Sequence, residues 1–387
     1  MYIQSKTQNL WVADANNLYL FQIQNPLLSQ VVNKSQIPKQ NSGATNSFFY
    51  YQGINRLFLV NKLAVDVYDI QNTDQIKFIF TIPAQARTSM IEIDFSINII
   101  FLADSSLRLL QFNNIQDYQD SNKQLLFADK CSITLSQAPI LNKIFMISKT
   151  SDLLYVSTED DIQIYQIQET NYNQILPSVV NIPQIIVYDK FISALQYAYS
   201  CQYTPYKNYL LSAKGTEGVY IFQEDPNSHT LLQVQNINPP NFTTNLKLAK
   251  IFNNDNNLVI GRDNHLYFYD ISNINNPQQI STLSISTGNQ IRSAYITKDL
   301  KKIIVAGDSQ GVVIVDISNL SAPQIIASKY QDLPISSKCQ DLSMDATEKY
   351  IYASYNGQGL VIYDVHNYTN PVILSYITTY GGQNIGQ

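Results

Sequence analysis

Four charged residues lie in segments predicted to be β-strands around one central opening: Glu92, Asp94, Arg292 and Asp341. Glu92 and Asp94 are two residues apart, so a β-strand would put both carboxylates on the same side. Paired carboxylates can act as general acid and base, or they can hold a cation. The same spacing also fits a plainer interpretation, in which these charges line a water-filled channel.

A tyrosine-rich stretch, Y-A-Y-S-C-Q-Y-T-P-Y-K-N-Y at 197–209, is the second candidate site. Tyrosine combines a broad apolar ring with a polar tip, and protein interfaces are enriched in it. We interpret 197–209 as an expanded turn between two strands, with Tyr203 and Tyr206 as partner-binding residues. Tyr118, in the long connection 113–122, is expected to join them. Ordinary packing of aromatic strands is the alternative.

Other motifs for catalysis or metal binding are weak. G-D-S-Q-G at 307–311 matches a G-x-S-x-G nucleophile elbow. An elbow needs a helix after it, whereas a strand is predicted here. The three histidines, His229, His265 and His366, have no partner at metal-ligand spacing. We therefore predict no catalytic centre at these residues, no metal and no cofactor.

Composition limits the classes of protein to consider. A net charge of −5 with only 14% charged residues argues against a nucleic-acid surface, which needs clustered Lys and Arg. The three cysteines form no C-x-x-C pair or disulfide framework, which favours a reducing, intracellular compartment. No apolar run approaches the roughly 20 residues of a membrane span, so the sequence predicts no transmembrane segment.

A repeat supplies the elements that would position these residues. G-V-V-I-V-D-I-S-N-L-S-A-P at 311–323 has counterparts at 266–277 and 360–371. In all three, Asn follows the Asp by three residues and Pro follows it by seven. The position of this Asp recurs eight times along the chain and is occupied by either Asp or Gln: Gln22, Asp69, Gln111, Gln166, Gln223, Asp270, Asp316 and Asp364. Eight units at intervals near 47 residues, each with four short strands, are typical of propeller blades.

One unit shows its four strands clearly, at 291–296, 303–306, 312–317 and 324–328. They are apolar on both faces, as expected for a sheet packed between two neighbours. The Asp of the repeat is predicted to accept amide hydrogen bonds from the turn that follows it, and Gln would replace it in the weaker units. No stretch sustains the spacing of an amphipathic helix, so the chain is predicted to be all-β.

The unit at 311–323 closely resembles the LVIVD repeat, a family named for its third strand. The resemblance is clearest over residues 246–380, whereas the earlier units join it through their spacing. It implies a β-propeller with a binding role, and the family offers no catalytic motif to carry over to this chain.

We therefore predict one all-β domain over residues 1–387, a β-propeller of eight four-stranded blades. Seven blades would result if residues 1–4 did not form an inner strand. The predicted function is a non-catalytic scaffold that binds a protein partner at the end carrying the turns after the first and third strands. Two alternatives stay open: a propeller hydrolase or lyase with carboxylates at the channel mouth, and a carbohydrate- or cation-binding surface domain.

Overall fold

The structure is a computed structural model, and all of its described elements but one are β-strands. It describes residues 2–4, 9–13, 17–25, 30–40, 45–51, 55–61, 64–72, 75–83, 90–94, 99–103, 107–112, 127–133, 146–149, 153–157, 161–169, 183–192, 198–204, 206–225, 231–239, 246, 248–285, 290–307, 311–329, 338–355 and 359–377. The exception is a 3-10 turn at Gly215–Glu217. No helix within these ranges is long and apolar enough to cross a bilayer.

The described strands form eight antiparallel sheets of four strands, each in chain order, which we call blades 1–8. Blades 1–4 comprise β1 Tyr2–Gln4, β2 Asn9–Ala13, β3 Asn17–Asn25 and β4 Gln30–Pro38; β5 Thr45–Tyr51, β6 Arg56–Asn61, β7 Ala64–Asp69 and β8 Lys77–Pro83; β9 Met90–Asp94, β10 Ile99–Ala103, β11 Leu107–Phe112 and β12 Phe127–Ile133; and β13 Met146–Lys149, β14 Leu153–Ser157, β15 Asp161–Glu169 and β16 Pro183–Ile192. Blades 5–8 comprise β17 Ala198–Thr204, β18 Tyr209–Lys214, β19 Gly218–Glu224 and β20 Leu231–Ile237; β21 Leu248–Phe252, β22 Asn257–Arg262, β23 His265–Asp270 and β24 Gln278–Ser284; β25 Ser293–Ile296, β26 Lys302–Ala306, β27 Val312–Asp316 and β28 Gln324–Lys329; and β29 Cys339–Met344, β30 Tyr350–Tyr355, β31 Gly359–Asp364 and β32 Val372–Ile377.

The four strands predicted in the clearest unit agree with the observed ones. In blade 7, β25–β28 begin and end within two residues of the predicted bounds. Tyr2–Gln4 forms strand β1 and pairs with β2, as the predicted first blade requires. The all-β prediction is therefore confirmed.

The first strand of each blade lies at the inner edge of its sheet. Strand β9 contacts β5 and β13, strand β17 contacts β13 and β21, and strand β25 contacts β29. The first strands of successive blades therefore gather at the centre, and the charged residues on them are brought toward a common axis.

The middle strands are buried on both faces because successive residues pack against different blades. In β22, Leu258 and Ile260 pack in a cluster shared with blade 5, while Val259 packs in a cluster shared with blade 7. In β27, Ile314 belongs to the cluster shared with blade 8, and Val313 to the cluster shared with blade 6. This double burial explains why the strands read as continuous apolar runs.

A β-bulge recurs at one position of the repeat. In each of the eight described sheets, the pairing of the third strand with the fourth shifts just before the Asp position. In blade 7, Ile314 pairs with Ala327 but Val315 pairs with Ile325, so that Ile326 is the extra residue. Because blades 1–5 share this bulge, it confirms the alignment of the repeat where the sequence match is weakest.

Replacing Ile314 with Asp should unfold the protein, since the side chain is fully buried between blades 7 and 8. An unpaired buried carboxylate is expected to lower the free energy of unfolding by at least about 3 kcal/mol. Ile325 is 41% exposed on the neighbouring strand, so Ile325→Asp is the matched control. It should change stability by less than about 0.5 kcal/mol. Chemical denaturation measures both, and equal losses would contradict this packing.

Candidate functional site

The Asp of the repeat caps the turn that follows the third strand. In blades 6, 7 and 8 the carboxylate Oδ1 accepts a hydrogen bond of 2.8 Å from the backbone N–H two residues later: Asp270 from Ser272, Asp316 from Ser318 and Asp364 from His366. Asp69 of blade 2 accepts one of 2.9 Å from Gln71. The predicted structural role of these carboxylates is confirmed at all four positions.

These hydrogen bonds stabilise the ionised carboxylates. Hydrogen bonds from the side chain and the backbone of Ser272 lower the pKa of Asp270, and Ser318 does the same for Asp316. Lys302, which pairs with Asp316 across the ladder, contributes a smaller attraction that also lowers this pKa. The negative charge of each carboxylate is therefore stabilised by hydrogen-bond donors of its own turn.

The Asn three residues after the Asp stabilises the same turn. Asn273, Asn319 and Asn367 each accept, through Oδ1, the backbone N–H two residues later at 3.0–3.2 Å. Their carbonyl oxygens accept the N–H of the residue three positions later. Two successive capped turns make the S-N-x-x-x-P segment of blades 6 and 7, and its counterpart in blade 8, a well-ordered connection.

The turns after the first and third strands meet at one end of each blade. The N–H of Ile317 donates to the carbonyl of Lys301 at 2.8 Å, and Ile271 and Val365 make the same bond to Asn256 and Lys349. We call this the loop-rich end: residues 206–208, 253–256, 297–301 and 345–349 after the first strands of blades 5–8, and 271–277, 317–323 and 365–371 after the third strands of blades 6–8.

Tyr206 lies at the loop-rich end with 71% of its surface exposed. The prediction that 197–209 forms an expanded turn is wrong, because Ala198–Thr204 is strand β17, paired with Tyr209–Lys214. The turn is as short as its counterparts in other blades. Tyr203 belongs to β17, where its backbone pairs with Leu210. Tyr118 lies outside the described residues.

Lys207, next to Tyr206, fastens this turn to blade 6. Its backbone N–H donates to Asp255 Oδ2 at 2.9 Å, and its Nζ donates to Asn256 Oδ1 at 3.0 Å and to the carbonyl of Ser272 at 3.3 Å. Three hydrogen bonds to a neighbouring blade hold the backbone that presents the Tyr206 ring. No local sequence pattern indicates this contact, because its partners lie 48 or more residues away.

Lys298 makes the corresponding contact from blade 7 to blade 8. Its N–H donates to Glu348 Oε1 at 2.8 Å and its Nζ donates to the carbonyl of Ala346 at 2.6 Å. The hydroxyl of Tyr295 donates to the same Glu348 oxygen at 2.9 Å. Burial, followed by this bond, raises the pKa of Tyr295 to about 12. Turns after first strands thus link neighbouring blades at two places.

The charged residues predicted to line the channel lie on or beside innermost strands. Asp341 is on β29 and is exposed, although its strand is the inner edge of blade 8. Arg292 directly precedes β25, and its N–H donates to the carbonyl of Ala306 at 3.0 Å. Glu92 and Asp94 are on β9, paired through their backbones with Phe101 and Ile99. Their side chains are outside the described part of the structure.

The G-D-S-Q-G motif lies between two antiparallel strands. It connects β26 to β27, so a strand follows it where a nucleophile elbow would have a helix. The N–H of Gly307 donates to the carbonyl of Gly311 at 2.8 Å. Gly311 has φ of 67°, and a Cβ atom there would lie 2.3 Å from the carbonyl oxygen of Lys329, so this position requires glycine.

Metal ligands do not cluster in the part of the chain that the structure describes. No group of three or more His, Cys, Asp or Glu residues there could hold a metal ion. His366 Nδ1 lies 2.7 Å from Asp364 Oδ1, within the capped turn of blade 8. The carboxylate that His366 contacts is therefore the one that caps the turn of blade 8.

Two segments of the chain are similar to a known repeat. Residues 304–331 and 340–379, in blades 7 and 8, match the LVIVD repeat, so the resemblance seen in the sequence is confirmed. No curated protein matches the chain by sequence. The family similarity thus rests on the two blades in which the repeat is clearest.

Several solved structures share the fold at low sequence identity. The C-terminal WD40 domain of Sif2 is 13% identical, with a TM-score of 0.66 over 93% of this chain and 93% of that one. Sqt1 of Saccharomyces cerevisiae is 9% identical, with a TM-score of 0.64 over 85% of this chain and 84% of that one. Dihydro-heme d1 dehydrogenase NirN is 12% identical, with a TM-score of 0.64 over 96% of this chain and 73% of that one. WD40 domains are β-propellers, and these similarities establish that fold alone.

Replacing Asp316 with Asn tests the capping role, because Asn keeps an acceptor but loses the charge. The pKa of folded Asp316 is below its ordinary value of 3.8. Its stabilisation is therefore complete above that value and disappears as the pH falls through the folded pKa. We expect Asp316→Asn to lose about 1 kcal/mol at neutral pH and to be less sensitive to acid below pH ~4. Denaturation curves across this range measure both effects, and an unchanged acid sensitivity would contradict the assignment.

Proposed function

We propose that this chain is an eight-bladed β-propeller that binds a protein partner through its loop-rich end and has no catalytic activity of its own. The observation that carries the proposal is Tyr206, a large aromatic side chain exposed on a turn that Lys207 fixes to the next blade. Interfaces favour aromatic anchors, and an anchor held in place before binding loses less entropy.

The composition of the loop-rich end supports a binding role. Its carboxylates cap turns or link blades: Asp345 accepts the N–H groups of Thr347, Lys349 and Tyr350, and Glu348 accepts two donors of blade 7. A face built from such hydrogen bonds is rigid while its outermost side chains stay available. Loops held by a rigid scaffold are the usual place for recognition.

The propeller similarities add general support for a scaffold. The structures in this group include a WD40 domain and a dehydrogenase, so the fold is compatible with both binding and catalysis. The enzyme alternative depends on Glu92 and Asp94, which β9 carries two residues apart on an innermost strand. Those carboxylates, with Asp341, are the residues to replace if a hydrolase or lyase activity is found.

Eight blades in one closed ring are the arrangement that the repeat favours. Eight described sheets share the same bulge, and β1 completes the first of them. We expect blades 1 and 8 to pack together, because the ring then leaves no blade face open to solvent. Small-angle scattering should give a radius of gyration of about 21 Å, the value for a compact chain of 387 residues. An elongated profile would exclude the closed ring.

The docking face can be tested with three exposed positions. Tyr206→Ala should reduce capture of the partner from native lysate by at least tenfold, about 1.4 kcal/mol, since the loss of an aromatic anchor costs that much or more. Leu232, 68% exposed on the outer strand of the same blade, is the matched control, and Leu232→Ala should bind normally. Thr216, exposed in the turn at the opposite end, gives Thr216→Ala as a second control.

Quantitative mass spectrometry of the captured proteins measures all three variants against the wild-type chain. The proposal requires the same proteins to be lost with Tyr206→Ala and kept with both controls. Capture that survives Tyr206→Ala and disappears with Thr216→Ala would place the docking face at the other end.

A further inference from the structure

Asp255 is a nearly buried carboxylate at the loop-rich end, next to the turn that carries Tyr206. It follows the first strand of blade 6, and only 4% of its surface is exposed. Its Oδ2 accepts the backbone N–H of Lys207 at 2.9 Å. Because residue 207 is bonded to Tyr206, the bond lengths of the peptide place this oxygen within about 6 Å of the Tyr206 Cα atom. A recessed carboxylate and an exposed aromatic residue are therefore neighbours.

The second carboxylate oxygen of Asp255 is available for a further hydrogen bond. In the part of the chain that the structure describes, Oδ1 accepts no hydrogen bond. It is not one of the fully enclosed polar atoms that lack a partner, so solvent reaches it. Asp is rarely this buried without a charged partner, because removing a carboxylate from water is costly. The fold therefore holds a charged acceptor that its own turns satisfy at one oxygen only.

The charges of the adjoining turns leave this site negative. Residues 206–208, 253–256 and 270–276 carry three charged groups: Lys207, Asp255 and Asp270. Lys207 Nζ donates to Asn256 Oδ1 and to the carbonyl of Ser272, and no carboxylate oxygen among the described residues lies within 4.0 Å of it. Asp270 accepts hydrogen bonds from the backbone and the side chain of Ser272. The ammonium offsets one of the two carboxylates, so a net charge of −1 remains.

The corresponding junction of blades 7 and 8 lacks this combination. Glu348 has the place of Asp255 there, and its Oε1 accepts the N–H of Lys298 at 2.8 Å. The same oxygen also accepts the hydroxyl of Tyr295 at 2.9 Å. The residue before Lys298 is Thr297, which is buried, whereas the residue before Lys207 is the exposed Tyr206.

An aromatic ring beside a carboxylate suits an arginine side chain. The guanidinium group is planar, stacks on aromatic faces and donates charge-assisted hydrogen bonds to carboxylates. Arginine and tyrosine are also enriched among the residues that contribute most to binding at protein interfaces. Lysine would reach the carboxylate as a point charge but stacks less well, and an acidic side chain would be repelled.

We propose that the protein partner docks an arginine side chain on the loop-rich end, between the Tyr206 ring and the Asp255 carboxylate. The guanidinium stacks on the ring and donates an N–H to Asp255 Oδ1, while Oδ2 keeps the N–H of Lys207. This inference rests on the proposed partner-binding function and names the chemistry that the partner brings to the site.

Short peptides test the site directly. Acetylated and amidated Gly-X-Gly peptides, with arginine, citrulline or lysine at X, are titrated into the full chain by calorimetry. Citrulline keeps the shape of arginine but carries no charge. We expect the arginine peptide to bind at least about tenfold more tightly than the citrulline peptide, and more tightly than the lysine peptide. Equal affinity for arginine and either of the other two would overturn the proposal, as would no binding of the arginine peptide.

Variants identify the two groups that hold the arginine. Asp255→Asn removes the charge but keeps an oxygen for the N–H of Lys207, and it should weaken the arginine peptide by at least about tenfold. Asp299→Asn is the matched control, because it removes the same charge from an exposed side chain in the corresponding turn of blade 7. It should leave the affinity within about twofold. Undiminished binding by Asp255→Asn would overturn the proposal. If its unfolding temperature falls, Tyr206→Ala decides, since that side chain is exposed and its loss must also weaken the peptide.

Capture from native lysate separates this inference from the proposed function. Captured proteins that are lost with Tyr206→Ala but kept with Asp255→Asn would overturn the arginine contact and leave the docking face in place. Capture that is unchanged by Tyr206→Ala would overturn the docking face itself.

Discussion

Each blade can bury its middle strands only between two neighbouring blades, and the rest of the structure depends on this constraint. In blade 6, Val259 packs toward blade 7 while Leu258 and Ile260 pack toward blade 5. A single sheet of this composition would expose a full apolar face to water, at a cost of about 25 cal/mol for every Å². The repeat therefore has to continue around an axis, and the apolar runs on both faces of β22 and β27 reflect that requirement.

The inner and outer edges of the sheets are protected from further strand pairing in different ways. At the centre, Gln202 Oε1 accepts the N–H of Ile251 at 3.0 Å and its Nε2 donates to the carbonyl of the same residue at 3.1 Å. This side-chain amide pairs with the inner edge of blade 6 as a further strand would. At the periphery, the bulge opposite the third strand interrupts the regular ladder of the outer strand in every described sheet. Bulged edges are poor templates for pairing with other chains.

At the loop-rich end, hydrogen bonds join blade 5 to blade 6 and blade 7 to blade 8. Lys207 and Lys298 leave the turns of blades 5 and 7 and bind backbone and side-chain groups of blades 6 and 8. The contacts to Asn256 and Ala346 join a turn after a first strand to the corresponding turn of the next blade, and the contact to Ser272 reaches the turn after the third strand of blade 6. The exposed side chain of Tyr206 is therefore presented by a turn that is fixed to the next blade.

The sequence alone determined the repeat, its third strands and the capped turns that follow them, because these depend on neighbouring residues. The Asp at 316 and the Asn at 319 cap a turn whose donors are two residues away, so their roles were predictable from spacing. The pairing of β25 with β26 and of β26 with β27 follows in the same way from short hairpins. The double burial of β27 was also predictable, because a continuous apolar run leaves no face for water.

Tertiary structure decided which residues meet across blades. The sequence predicts an expanded turn at 197–209, but the structure has strand β17 there, and only its pairing with β18 decides between the two. The anchoring by Lys207 and the link between Gln202 and Ile251 each join residues about 50 positions apart in sequence. Such contacts depend on how one blade is rotated against the next. That rotation results from the packing of whole sheets, and no local pattern of residues encodes it.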